Sequence, residues 1–411
     1  MTDPARDDHA EFRARRIFLS SGFIWQLCWS SYWTLFFIRV VVDVGLSPLQ
    51  LVMLGTAKEV TILLVEIPTG VVADIRSRRL SVILAFFVCG VAIIGAGIAQ
   101  TFGVLVLTQV LWAFGTTFRS GAETAWFTDE LRSVDRVDLV LPLRGRVEAL
   151  GSIIGILTAA VVAALVGLSI ALAGIGAVLI GWGGVLIARM PETGFERHLA
   201  SARTRFRQLI TEGFEASRRP GLRVLLTVTV MAGFASEAVD RLGIARLDEI
   251  GFGETIDVSL LIGAAVILQA LGAIAILLVF GKRLAGQKLV RVMLVLHIVT
   301  GIGVAVLARV DLLAIALGGF IAQGMVRSVA TTATIAWTNH FTDRSNRATV
   351  HSFVGQASSL GEISGGVGLG LLAQQAGLGA ALSASALIYL LGAAWTSRGT
   401  SRWSATAPER P

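Results

Sequence analysis

Charge is scarce in this chain. Charged residues make up 15% of its 411 positions, and the mean hydropathy is +0.74, whereas a soluble globular protein carries roughly 25% charged residues. That excludes one anchored soluble domain; most of the chain must sit in lipid. Lysine is scarcer still, confined to Lys58, Lys282 and Lys288, so most of the positive charge is guanidinium. The formal charge of +7 and an isoelectric point near 10.3 raise nucleic acid as a partner. The arginines fall in alternate short loops rather than on one basic module, so no nucleic acid is expected. The two cysteines, Cys28 and Cys89, lie in separate apolar runs and read as buried thiols, not as a disulfide or metal site. There is no G-x-x-x-x-G-K-[ST] loop, so direct ATP coupling is not expected. Nor is there a metal cluster or a nucleophile elbow. The chain therefore reads as a non-enzyme with no cofactor and no metal.

What it has in abundance is apolar runs of bilayer length, roughly 20 residues each. The expected spans are 17–42, 49–73, 80–99, 104–127, 147–166, 170–188, 222–247, 256–280, 289–308, 312–338, 349–373 and 378–395. A charged segment, 129–144, separates spans four and five. The first sixteen residues, ending Arg13-Ala-Arg15-Arg16, resemble a basic n-region. The run that follows is too long for a signal peptide and contains Gln26 and tryptophans, so it reads as a retained first span.

Loop charge gives the orientation. With the amino terminus inside, the cytoplasmic loops hold Arg76, Arg78 and Arg79; Arg132, Arg136 and Arg144; Arg197, Arg203, Arg205, Arg207, Arg218 and Arg219; Lys282, Arg283 and Lys288; Arg344 and Arg347; and Arg398 and Arg402. Of the opposite loops, 43–48, 100–103, 167–169, 248–255, 309–311 and 374–377, only that at 309–311 is basic, through Arg309. Basic residues stay cytoplasmic, so the pattern implies a multi-pass protein of the inner (cytoplasmic) membrane with both termini inside. The expected division is a tail at 1–16, a six-helix bundle at 17–188, a basic linker at 189–221, a second bundle at 222–397 and a tail at 398–411.

The halves look related. Phe118-Arg119-Ser120 in span four matches Val326-Arg327-Ser328 in span ten, and each is followed by a tryptophan and then Phe-Thr-Asp, at 127–129 and 341–343. The turn between spans two and three reads Gly70-x-x-x-Asp74-x-x-x-Arg78-Arg79. This resembles the signature loop of the major facilitator superfamily, with Ser77 where the family has glycine and Ile75 where it has a basic residue. The resemblance implies an all-α membrane fold of twelve helices in two pseudo-symmetric bundles. It also implies alternating access to a site near the midplane. Gly151-x-x-x-Gly155 and Gly361-x-x-x-Gly365 permit close helix contact. Span five also resembles the motif of the family's drug–proton antiporter branch, although Ile156 stands where that motif has proline.

The candidate chemistry lies on the spans the family uses to line its cavity: one, four, seven and ten. In span four, Gln109, Trp112, Thr116, Arg119, Glu123 and Trp126 step by three and four residues and form one helical stripe. Such a stripe cannot face lipid, where each charge costs at least ~2.5–3.5 kcal/mol. Arg119 and Glu123 can pair on the helix, and a purely structural pair is the alternative. Span ten repeats the design with Gln323, Arg327, Thr331, Thr334 and Thr338. Span one offers Gln26, Trp29, Ser30 and Trp33, and span seven Glu237, Asp240 and Arg241. The substrate set is thus Gln26, Trp29, Trp33, Gln109, Trp112, Thr116, Arg119, Gln323 and Arg327. Trp182 and Trp395 suit interfacial anchors better.

A carboxyl in low dielectric can exchange a proton near neutral pH. Glu59, Glu123, Glu237, Asp240 and Glu362 are the candidates for proton coupling, Glu123 and Glu237 the favoured two. His297 and His351 read as packing or helix-end residues. The gate set is Gly70, Asp74, Arg78, Arg79, Glu66, Asp129 and Glu130. The resemblance implies that Asp74 latches the helix beginning near Thr349 and that Arg78 pairs with Asp129 or Glu130.

The expected function is secondary active transport of a small organic molecule by a monomer. Proton-coupled efflux of a drug or natural product comes first, and import of an anionic metabolite through Arg119 and Arg327 second. A non-transporting receptor or an intramembrane enzyme is the alternative from another class.

Overall fold

A computed structural model describes residues 4–131, 134–195, 211, 220–251, 257–281, 288–342 and 347–403. Helices account for nearly all of them: α1 (Pro4–Ile38), α2 (Pro48–Ile75), α3 (Arg78–Ile98), α4 (Phe102–Arg119), α5 (Ala122–Leu131), α6 (Val134–Val166), α7 (Leu168–Arg189), α8 (Pro220–Glu249), α9 (Val258–Phe280), α10 (Lys288–Arg309), α11 (Leu313–Asn339), α12 (Arg347–Ala376) and α13 (Leu378–Trp403). Among the described residues nine helical stretches are long and apolar enough to cross a bilayer, α4 and α5 counting as one. The other expected spans are α1, α2 and α12. They carry more polar side chains, among them Gln26, Lys58, Glu59, Glu66 and Glu362. Several loop arginines and lysines used for orientation lie outside the described residues: Arg132, Arg197, Arg203, Arg205, Arg207, Arg218, Arg219, Lys282, Arg283 and Arg344. So does Asp343 of the second Phe-Thr-Asp.

Three expectations need correction. Span four is not one continuous helix: it breaks at Ser120–Gly121, where Gly121 takes φ +73°, a region open to glycine at no steric cost. The stripe from Gln109 to Trp126 is therefore two stripes joined at a turn. The charged segment before span five is helical, since α6 starts at Val134 and carries Pro142 within it. The amino-terminal tail is helical too, because α1 begins at Pro4.

The chain forms two compact units, Met1–Arg39 with Val60–Arg205, and Val40–Glu59 with Phe206–Pro411. The second takes in the first half of α2, which the expected division gave to the first. Small residues explain this: Gly366 of α12 lies against Thr56 and Val52, and Gly55 of α2 lies against Glu237 and Arg241 of α8.

Each unit is held by the same two devices. In the first, Gly151 and Gly155 of α6 meet the backbone of α1 at Phe23 and Leu27. In the second, Gly361 and Gly365 of α12 meet the backbone of α8 at Val230 and Phe234. A methyl group at any of these glycines would collide with a carbonyl oxygen, so the G-x-x-x-G spacing sets the approach of the two helices. The second device is a buried arginine. Arg39, 1% exposed, sits in the π-helical turn after α1. It donates to the carbonyls of Ala96 (3.1 Å) and Ala99 (2.9 Å) and to the Ser169 hydroxyl (2.7 Å). Arg246, near the end of α8, donates to the Leu307 carbonyl at 3.4 Å and pairs with Glu249 and Asp311. Each arginine supplies donors to carbonyls at a helix end, which lack partners inside their own helix.

Candidate functional site

In the first unit, the turn between α2 and α3 is organised by its charges. Ser77 caps α3, its hydroxyl accepting from Leu80 N at 2.9 Å; a side-chain oxygen at this position satisfies an orphan N–H, which the family's glycine could not do. Arg78 reaches Asp129 at 2.5 Å and Asp74 at 3.3 Å. Of the two acids expected for Arg78, Asp129 is the partner. Glu130 instead accepts from Thr193 N (2.6 Å) and Gly194 N (3.1 Å), beyond α7. Arg79 donates to the Ile187 carbonyl at 2.6 Å, and Glu66 accepts from Ser120. A methyl at Gly70 would meet nothing within 4 Å. No pattern in the sequence marks Glu192. It accepts from Arg79 N and from the Ser77 hydroxyl, an anion at a helix amino terminus.

Deeper in the same unit, Arg119 and Arg144 both hold one oxygen of Glu123, at 2.6 and 2.8 Å. Arg144 also pairs with Glu148 (2.8 Å) and donates to the Phe18 carbonyl (2.8 Å). The Arg144 guanidinium lies 3.9 Å over the Phe18 ring, and that of Arg119 lies 4.4 Å over Trp25. Arg144 was counted as a loop charge, and only the extension of α6 reveals it as buried. Around Arg119, Trp25, Trp29, Trp33, Tyr32 and Trp112 pack ring to ring. Gln109 donates to the Tyr32 hydroxyl at 2.7 Å. Trp112 and Gln109 are each 1% exposed, so as they stand neither can touch a solute. Gln26 bonds to Ser30, which bonds to Ser152, and Thr116 bonds back to the Ala113 carbonyl.

The second unit holds a cavity of about 370 Å³. Its walls follow helical spacing: Thr229, Ser236 and Asp240 on α8; Met293, His297 and Thr300 on α10; Arg327, Thr331 and Thr334 on α11; Ser358 and Glu362 on α12; and Tyr389 on α13. Arg327 pairs with Asp240, and its guanidinium and the Tyr389 hydroxyl interact with each other beside that pair. Nδ1 of His297 lies 2.7 Å from the Met293 carbonyl. It must donate there, which leaves Nε2 as an acceptor. His297 packs as expected, 4% exposed and against the Tyr389 ring, at the edge of this cavity. Gln323 and Thr338, expected on the same stripe as Arg327, are buried and bond to backbone carbonyls instead.

The acids of this unit differ in their partners. Glu237 pairs with Arg241 at 2.8 Å, and Glu59 with Lys58 at 2.6 Å and the Ser359 hydroxyl at 2.9 Å. Glu362 accepts from Ser358 at 3.2 Å. Among the described residues it is the one member of the proton-coupling set outside a salt bridge. Tyr389 was also missed; the chain has two tyrosines, and that scarcity was the available signal, since both are buried beside site residues.

No known family profile and no curated protein matches the chain. Solved structures do. A bacterial homologue of the human lysosomal transporter Spinster superposes with a TM-score of 0.72 at 14% identity, covering 100% of both chains. The nucleoside transporter NupG gives 0.71 at 14% identity over 95% of this chain and 98% of its own. The peptide transporter POT, in complex with sulfate, gives 0.71 at 11% identity over 95% of each. The chain has the major facilitator fold. At these identities the likeness speaks for the fold, and the chemistry must be argued from the residues above.

Proposed function

We propose that the protein is a secondary active transporter that moves a polar small organic molecule across the inner membrane by alternating access. The carrying observation is the cavity of the second unit, whose wall brings the Arg327 guanidinium and the Tyr389 hydroxyl together with the Asp240 and Glu362 carboxyls. A ligand offering acceptors would meet the Arg327 guanidinium there, whose side chain is 30% exposed. Intramembrane charge marks a solute path by default. The transporters of like fold support the same reading. The two six-helix bundles, with both termini cytoplasmic, belong to this proposal.

The lining bears on the substrate class. It sets hydroxyls and the Asp240–Arg327 pair among apolar side chains such as Val228, Met293 and Val354, while the tryptophans of the expected substrate set pack against one another in the first unit. On the Asp240–Arg327 pair we propose an anionic or zwitterionic metabolite, with efflux of a drug as the second reading. For coupling we place the proton on Glu362 rather than on Glu123 or Glu237. Protonating it breaks no salt bridge, whereas the other two would each leave a buried arginine short of its partner.

Purified protein in liposomes with an imposed pH gradient tests this. Uptake of nucleosides, short peptides, sugars, carboxylates and cationic dyes is followed together with internal pH. Solute movement tied to proton movement is expected, and lost coupling with retained binding in Glu362→Gln. Gradient-independent binding without flux of any solute would leave a receptor instead.

A further inference from the structure

A second cavity, of about 770 Å³, lies in the first unit. It forms where the basic start of α1 meets the end of α7. Arg13, Arg16 and Arg189 surround it, and Phe12, Ile17, Trp182 and Val185 give it an apolar wall. All three arginines are exposed. None has a carboxylate partner among the described residues, and the nearby Glu11 is turned to Arg136. Trp182 is fixed in place by a 3.0 Å hydrogen bond from its indole to Ser21. Arg79 of the α2–α3 turn touches the same end of α7, through the Ile187 carbonyl.

The spacing on α7 gives the shape of the occupant. Val178, Trp182, Val185 and Arg189 fall at intervals of three and four, one stripe along the helix, with Val178 44% and Val185 36% exposed. The stripe begins apolar and ends cationic. Clustered guanidinium groups match phosphate oxygens in geometry and charge. The apolar run that leads away from them matches an acyl chain.

We infer that this cavity is a binding site for one anionic phospholipid, its phosphate held by Arg13, Arg16 and Arg189 and one acyl chain laid along Trp182, Val185 and Val178. Basic pockets between membrane helices hold anionic headgroups by the same combination. The site is distinct from the solute cavity of the second unit and does not depend on what the protein transports.

Full-length protein in micelles, titrated with phosphatidylglycerol, phosphatidylcholine or inorganic phosphate and read by native mass spectrometry, tests the inference. Phosphatidylglycerol should bind as one tight copy, phosphatidylcholine should not, and millimolar phosphate should not displace it. Each single Arg→Gln change should weaken binding about five-fold, and Arg13→Gln/Arg16→Gln/Arg189→Gln together about 100-fold. Phosphatidylglycerol brominated on an acyl chain should quench tryptophan emission, and Trp182→Phe should remove most of that quenching. Equal binding of phosphatidylcholine, or unchanged affinity in the single and triple variants, overturns the site. Displacement by phosphate alone overturns the lipid as occupant, and quenching that survives Trp182→Phe overturns the placement of the chain.

Discussion

Arg144 offers the sharpest test of how the first unit holds its charges. Its side chain is 8% exposed and touches Glu123, 5% exposed, and Glu148, 33% exposed. It also donates to the Phe18 carbonyl and stacks on the Phe18 ring. Arg144→Met keeps much of the volume and removes the charge. Glu123 would retain Arg119, so the loss falls short of orphaning a carboxylate altogether. Removing one partner of a buried pair costs about 3–5 kcal/mol; with one partner left, the lower end, about 3 kcal/mol, is expected. For a unit of this size that is a fall of roughly 6–12 °C in melting midpoint. The assay is thermal unfolding of the solubilised protein, read by accessible thiol, because Cys28 and Cys89 are both buried.

The decisive comparison is a double-mutant cycle. If Glu123 is the group Arg144 serves, Glu123→Gln should be partly rescued in the Arg144→Met background, giving a coupling of at least ~1 kcal/mol between contacting groups. A fall under 2 °C in the single variant, or strictly additive effects, would refute the account and leave Arg144 as a solvated charge at the mouth of α6.

Other expectations are more local. Gly155→Ala and Gly365→Ala each set a methyl against a carbonyl oxygen of the partner helix and should cost about 1–3 kcal/mol; wild-type melting in either would disprove the close seam. Glu192→Gln should lose about 0.3–1 kcal/mol of support at the start of α3, seen as faster hydrogen exchange at residues 79–81 with the rest unchanged. Asp240→Asn frees Arg327 from its pairing, so an anionic solute should bind more tightly while turnover falls. Weaker binding would mean that Asp240, not Arg327, holds the solute.

How far the sequence could be read depends on what the bilayer constrains. Helix positions were legible because lipid demands long apolar runs, and α3, α7, α9 and α10 start and end close to expectation. The glycine seams were legible because only small residues permit them. What escaped was set by tertiary context. The break at Gly121 has no signature beyond a single glycine in a glycine-rich chain. Arg144 looked like a loop charge because a polar stretch reads as loop until helix packing buries it. Glu362 lines the cavity, yet pattern ranked Glu123 and Glu237 above it. Composition reports which groups are buried; it does not report which of them have partners.

The units also show which parts of the repeat bear on function. Both use glycine against backbone, at Gly151 and Gly155 and at Gly361 and Gly365, and both place a buried arginine at a helix end, Arg39 and Arg246. These are scaffold features, kept because any copy of the bundle needs them. The polar interiors differ. In the first unit Arg119 and Arg144 converge on one carboxylate, and aromatic rings close over them, leaving them little to offer a solute. In the second, the arginine in the matching position, Arg327, meets its acid on another helix and stands on a cavity wall, its side chain 30% exposed against 18% for Arg119. The same Arg-Ser pair stands at the break that ends α4 in one half and inside α11 in the other, covered by packing in the first copy and set on a cavity wall in the second. It follows that substitutions in the first unit's cluster should act on stability first and those around Arg327 on transport first, and measuring both quantities for Arg119→Gln and Arg327→Gln separates them.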